Sequence, residues 1–206
     1  MESGVAGIVL AGGLARRMGG GDKGLLRLGG QTILERVIAR LRPQVAVLAL
    51  NANGDPARFA DCGLPVLPDA VGGFAGPLAG ILAGLDWCAL RTSCRWLASA
   101  PCDTPFLPPD LVARLREAAK GQGAAIALAA SGGRTHPVVG LWPVDLRGDL
   151  RQALVAEGVR KVDAFAGRHA VATVAFETAG VDPFLNVNTP ADLAAAEGAL
   201  AAPGHS

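Results

Sequence analysis

Short apolar runs alternate with amphipathic stretches along most of the chain. Val5 to Leu10 is an unbroken apolar run, the pattern of a buried parallel strand with helices over both faces. Beyond a glycine-rich segment and Leu25-Leu-Arg-Leu28, Thr32 and Glu35 form a T-x-x-E capping box that starts an amphipathic helix, which Pro43 stops. Val45 to Leu50 reads as the second strand and Val66 to Pro68 as a short third. A glycine-rich turn follows, then a helix whose first-turn proline is Pro77. Arg95 to Ala100 is the next apolar strand, and Pro108-Pro109-Asp110 launches a helix through about Ala119. Ala124 to Ala130 and Pro137 to Trp142 are strand-like with a Gly-Gly-Arg turn between them, and Asp145 to Val155 is helical. From Glu157 to Thr178 the pattern gives a short helix and a strand through His169 to Phe176. Thr189-Pro190 supplies an N-cap and first-turn proline for a last helix to about Leu200, with a frayed tail from about residue 202.

Strands alternating with helices imply right-handed βαβ units and a mainly parallel, doubly wound, Rossmann-like sheet in an α/β fold. Ligands of such sheets bind beyond the carboxyl ends of the strands. The loops after Leu10, Leu50, Pro68 and Ala100 are therefore expected at one crevice, bringing Gly12, Gly13, Arg17 and Lys23 together with Asn51, Asn53, Asp69 and Asp103.

At 206 residues, half of them hydrophobic, the chain suits one domain, residues 1–206. A formal net charge of +1 provides no global field for nucleic acid or an anionic membrane, so any phosphate recognition is local. No apolar run is long enough to span a bilayer and no signal peptide is evident, so a cytoplasmic protein is expected. Cys62, Cys88, Cys94 and Cys102 lack zinc-ligand spacing and read as reduced thiols; His136, His169 and His205 are too scattered for a histidine metal centre.

The chemistry concentrates in the loop after the first strand, where Arg16, Arg17 and Lys23 interleave with Gly12, Gly13, Gly19, Gly20, Gly21 and Gly24. Glycines let backbone N–H groups approach a ligand, and the cations supply fixed charge, so a nucleoside triphosphate is the natural guest. A Walker A loop would need Ser or Thr after its lysine, and Gly24 follows Lys23. The formal G-x-G-x-x-G of Gly19, Gly21 and Gly24 sits too far beyond the strand end at Leu10 for a dinucleotide fingerprint.

Arg17 and Lys23 would neutralise charge growing on the β- and γ-phosphates as pyrophosphate leaves, whereas Arg16 reads equally well as a surface residue. Asp103, in a Pro-Cys-Asp-Thr-Pro turn after a buried strand, suits Mg²⁺, which takes a few carboxylates together with waters and phosphate oxygens. Asn51 reads either as a reader of a base edge or as plain turn chemistry. Asp69 reads as an acceptor for base N–H or sugar hydroxyl groups, or as a strand terminator.

Leu10-Ala-Gly-Gly13, Arg17-Met-Gly19, Asp22-Lys-Gly-Leu25, Asn51-Ala-Asn53, Pro68-Asp69, Gly76-Pro-Leu-Ala-Gly80, Pro101-Cys-Asp-Thr-Pro105, His136-Pro137 and Asn186-Val-Asn-Thr-Pro190 together resemble the molybdenum cofactor guanylyltransferases. The resemblance spans nearly the whole chain, although residues 143–179 carry no matching motif. It implies the nucleotidyltransferase fold and transfer of GMP from Mg-GTP to the terminal phosphate of molybdopterin, releasing pyrophosphate. It further implies that Leu10, Ala11, Gly12 and Gly13 contact the nucleotide, Lys23 contacts phosphate, and Asn51 and Asp69 contact the nucleoside. Asp103 would ligate magnesium, and Asn186 and Asn188 would lie near the acceptor. Partners would be GTP, molybdopterin and, transiently, molybdoenzyme maturation proteins, with no nucleic acid or membrane. His136 is expected to be structural, since an ionised phosphate acceptor needs no general base.

Two kinds of rival remain open at this point. One is a cytidylyl or sugar-phosphate transferase of the same superfamily, in which Leu-Ala-Ala-Gly is typical of the cytidylyl type. The other is a non-catalytic cofactor-binding module, which the Arg17, Lys23 and Asp103 set disfavours.

Overall fold

The structure, a computed structural model, describes residues 4–12, 23–73, 76–178 and 180–201. The loop 13–22, which carries Gly13, Arg16 and Arg17, lies outside them, as does the tail from 202.

The first apolar run forms β1 (Val5–Leu10), buried along its whole length. A short 3₁₀ turn at Lys23–Leu25 leads into a small ribbon of β2 (Arg27–Leu28) and β3 (Gln31–Thr32), a hairpin absent from the expectation. Its turn residues Gly29 and Gly30 have φ of 56° and 84°, the signature that a Gly-Gly pair between apolar positions offered. Helix α1 (Ile33–Leu41) starts at the expected capping box: Thr32 Oγ1 accepts from the Glu35 backbone N–H, and Glu35 accepts from that of Thr32. A 3₁₀ turn containing Pro43 delays β4 (Val47–Asn51) by two residues relative to the expected start at Val45.

β5 (Val66–Leu67), α2 (Pro77–Arg91) and β6 (Trp96–Pro101) follow nearly as expected. Helix α3 (Leu111–Gly121) begins without a side-chain cap from Asp110; instead Gln44 accepts from Val112 N at 2.9 Å and donates to Pro108 O at 2.8 Å. β7 (Ile126–Ser131) and β8 (Arg134–Pro143) form a hairpin. The stretch without motifs contains α4 (Arg147–Val155), α5 (Val162–Ala166) and β9 (Val171–Ala175). The last helix, α6 (Pro190–Ala201), has Thr189 Oγ1 accepting from Asp192 N and Asp192 returning the bond to Thr189 N, a reciprocal cap.

Among the described residues the main sheet has seven strands in the order β5-β4-β1-β6-β8-β7-β9. All neighbours are parallel except β8, which runs antiparallel to β6 and β7. Val5 and Val9 on one face of β1 pack with α1 and α3, while Ala6, Ile8 and Leu10 on the other pack with α2. This two-sided burial explains why β1 lacks polar alternation. From β1 the chain winds outward to β4 and β5, then returns to the other side at β6. The switch point between β1 and β6 is where an open α/β sheet leaves a crevice at its carboxyl edge.

Candidate active site

A cavity of about 540 Å³ occupies that edge, within the size range of small-molecule sites. Leu10, Gly12, Asn51, Asp69, Asp103, Asn186 and Asn188 all line it and share one space, whereas Ala11 is buried in the core. Strand order arranges them in a row: Asp69 after β5, Asn51 at the end of β4, Gly12 after β1, Asp103 after β6. Neighbouring strands lie about 4.8 Å apart, so the row from β5 to β8 spans about 19 Å.

The flank expected to take the nucleoside is a closed set of hydrogen bonds. Asn51 Nδ2 donates to Leu67 O at 3.1 Å and to Asp69 Oδ1 at 3.0 Å. Asn53 Nδ2 donates to Asp69 Oδ2 at 2.8 Å, and Asn53 Oδ1 accepts from Asp69 N at 2.9 Å. The Asn51 amide hydrogens are thus committed, and the side chain acts on the cavity through the carboxylate it holds. Asp69 keeps further acceptor capacity on both oxygens. Room for Asn51 comes from Gly80 on α2, where a Cβ would stand 2.2 Å from Asn51 Oδ1 and 2.9 Å from Leu10 Cδ2. A Cβ at Gly12 would meet no atom of the described residues within 4 Å, and Gly12 lines the cavity.

The centre is pinned by backbone. Cys102 N donates to Leu10 O at 3.0 Å and Thr104 Oγ1 to Pro101 O at 3.0 Å, which sets the turn holding Asp103. Lys23 enters through its backbone turn: a Cβ at Gly24 would lie 3.1 Å from Leu34 Cβ and 3.4 Å from Cys102 Cβ. Gly24 therefore lets the Lys23 turn pack beside the Asp103 loop. Arg17 and Gly13 lie outside the described residues. Among the described residues, no group of three or more His, Cys, Asp or Glu could hold a metal. A single carboxylate nonetheless fits Mg²⁺, which keeps waters and binds phosphate oxygens.

The flank expected to face the acceptor is assembled from distant segments. Val187 is fully buried with Leu28, Ile33 and Phe106, and its N–H donates to Asp103 O at 2.9 Å. Asn186 and Asn188, on either side of this anchor, reach the cavity. Opposite them, β8 leaves its regular pairing with β7: the register steps from Leu128–Gly140 to Ala129–His136. The residues between, Pro137 to Val139, line the cavity, a use of a bulge common beside binding sites. Ser99 braces it, donating to Val138 O at 2.7 Å and accepting from Trp142 Nε1 at 2.8 Å.

Arg134 and His136, also on the cavity wall, were not assigned to the site from sequence. The signal was available: the Gly132-Gly133 turn, with φ of 52° and 76°, starts β8 at the same edge, and alternate residues of a strand share a face. Burial holds the His136 pKa below the ordinary 6.5, and Arg134 lowers it further, while Asp182 raises it. No helix among the described residues is long and apolar enough to cross a membrane.

The family model for the MobA-like NTP transferase domain matches residues 7–173. Molybdenum cofactor guanylyltransferase of Rhodopseudomonas palustris (strain HaA2) is 61% identical over 192 residues, covering 93% of this chain and 90% of the relative. The enzyme of the same name from Bradyrhizobium sp. (strain ORS 278) is 61% identical over 194 residues, covering 94% and 92%. Among solved structures, molybdopterin-guanine dinucleotide biosynthesis protein A from Archaeoglobus fulgidus shares the fold, with a TM-score of 0.72 at 23% identity over 94% of this chain and 97% of that one. This chain is a nucleotidyltransferase that belongs to the MobA-like NTP transferase family, among the molybdenum cofactor guanylyltransferases.

Proposed function

We propose that the protein transfers GMP from Mg-GTP to the terminal phosphate of molybdopterin. An acceptor phosphate oxygen attacks the α-phosphorus of GTP, the bond to the β-phosphate breaks, and pyrophosphate leaves. The acceptor oxygen is ionised at neutral pH, so the step needs no general base. Arg17 and Lys23 would hold the departing phosphates, their charge offsetting the charge that grows there. Asp103 would hold the magnesium ion, which when bound supplies positive charge at the phosphates.

The observation that carries the guanine reading is the braced Asp69 carboxylate. Guanine presents two adjacent donors, N1–H and the 2-amino group, and a carboxylate offers two matching acceptors. Cytosine presents an acceptor, N3, beside its amino group, and would set one Asp69 oxygen against a lone pair. Leu10, Ala11 and Gly12 would flank the base and nucleotide backbone, while Asn186 and Asn188 would face the acceptor. A GTP-consuming reaction of this kind belongs in the cytoplasm. Transient contact with proteins that mature molybdoenzymes would deliver the product.

The test is incubation of purified protein with molybdopterin, Mg²⁺ and each of the four nucleoside triphosphates, measuring pyrophosphate and the nucleotide attached. GMP attachment with stoichiometric pyrophosphate is expected. Pyrophosphate release without a dinucleotide product would overturn the acceptor assignment.

A further inference from the structure

The acceptor flank contains a polar chain that the transfer chemistry does not use. Ser131, at the end of β7, is 3% exposed, and its Oγ lies 2.7 Å from Asp182 Oδ1 and 2.8 Å from His136 Nε2. Asp182 is itself held by the loop that carries Asn186 and Asn188: its Oδ1 accepts from Phe184 N at 2.9 Å and its carbonyl from Leu185 N at 3.0 Å. The His136 ring packs on Phe184 at a centroid distance of 4.9 Å.

Proton counting fixes the direction of this chain. A serine hydroxyl has one hydrogen, and the carboxylate can only accept, so Ser131 donates to Asp182. Ser131 Oγ must then accept from His136, which puts the ring proton on Nε2. The order is the reverse of that in Ser-His-Asp hydrolases, where the carboxylate orients the imidazole and the imidazole takes the serine proton. Ser131 is therefore no activated nucleophile. What the chain specifies is the tautomer of His136, with Nδ1 left as the ring's remaining acceptor on a residue that lines the cavity.

We infer that His136 is a specificity residue for the acceptor, accepting at Nδ1 a hydrogen bond from a ring N–H of a pterin-type heterocycle, with Ser131 and Asp182 as its positioning residues. The inference rests on the GMP-transfer reading for the identity of the acceptor. The row along the sheet edge places His136 at the end away from Asp69, where the group receiving GMP would lie. Burial and the Arg134 guanidinium favour the neutral ring, against the pull of Asp182, which keeps the Nδ1 lone pair available at neutral pH.

Long-range ¹H–¹⁵N correlation spectra of the ¹⁵N-labelled protein read the tautomer directly, without any substrate. The expected result is a single Nε2–H form in the wild type, lost in Ser131→Ala. Anaerobic titration with molybdopterin supplies the second readout. His136→Phe keeps the ring shape without an acceptor and should weaken binding about tenfold, the worth of one hydrogen bond. His136→Asn, whose amide oxygen can stand near the Nδ1 position, should restore most of it, and GTP affinity should not move in either variant. An Nδ1–H tautomer in the wild type, or molybdopterin affinity unchanged in His136→Phe, overturns the inference. GMP transfer by the wild type distinguishes that failure from failure of the transferase reading, which would show instead as no dinucleotide product.

Discussion

The two flanks of the cavity hold their polar groups by different means. On the proposed nucleoside side, Asn51 ends β4, Asn53 and Asp69 stand in the loops after the adjacent parallel strands β4 and β5, and every bond among them bridges at most 18 residues. On the proposed acceptor side, the Ser131–Asp182 bond bridges 51 residues, and the Asn186–Asn188 segment is anchored by buried Val187, its backbone bond to the Asp103 turn and a bond from Asn188 N to Asp192. The first flank is a property of the sheet edge. The second exists only when a hairpin, a bulge and a late loop come together. On the proposed assignment, the nucleotide side can be inherited with the fold, whereas the acceptor side can diverge by loop changes that leave the sheet intact.

Asp103→Asn should have the largest effect, because both flanks meet at this residue. Turnover should fall by about a hundredfold or more, with little change in Tm, as steady-state kinetics and a thermal melt would show. Near-normal turnover would remove Asp103 from the centre. Next is Gly80→Ala, which breaks the nucleoside flank alone. Its Cβ would collide with Asn51 Oδ1, forcing a shift that costs about 1–3 kcal/mol and displaces the Asp69 brace. GTP affinity and Tm should fall together while molybdopterin affinity stays put. A fall in molybdopterin affinity of equal size would mean that the flanks are one cooperative unit.

The contrast also explains what the sequence revealed. β1, α1 and the Thr32–Glu35 cap were legible because the signals are local: an apolar run, a 3.6-residue period and a three-residue capping spacing. Asp69 and Asp103 were legible as loop residues after strands, and parallel order alone brings such loops to one edge. Asn51 kept two readings because its partners are a carbonyl and a carboxylate 16 and 18 residues away. Val187 gave no local reason for Asn186 and Asn188 to face a site; that reason is a buried contact with Leu28, Ile33 and Phe106. The Ser131–Asp182 pairing has no sequence signal at all, since neither residue belongs to a periodic pattern. Residues 143–179 lacked motifs because α4, α5 and β9 serve to cover and extend the sheet.

Val187→Ala targets the acceptor flank in the way Gly80→Ala targets the other. Losing two buried methyl groups should cost about 2 kcal/mol of stability and loosen the Asn186–Asn188 loop. Molybdopterin KM should rise with GTP KM unchanged; equal changes in both would dissolve the distinction between flanks. The smallest effect is the pH dependence of acceptor binding. Acceptor binding follows the protonation of the folded protein, in which the His136 pKa lies below 6.5. The contribution of the neutral ring is therefore present at 6.5 and above and is lost only as pH falls through that lower folded value. Molybdopterin affinity should be flat from neutral to alkaline pH and drop only in acid, and His136→Asn should flatten that drop. A loss beginning above pH 7 would contradict the assignment.

The most direct test of the account is competition between GTP and CTP for transfer to molybdopterin, in the wild type and in Asp69→Asn. A site whose braced carboxylate matches the guanine edge should favour GTP by about a thousandfold or more in kcat/KM, and the variant should lose most of that preference. A wild type that attaches CMP as readily as GMP, or an Asp69→Asn variant that keeps full selectivity, would contradict the claim that Asp69 reads the base.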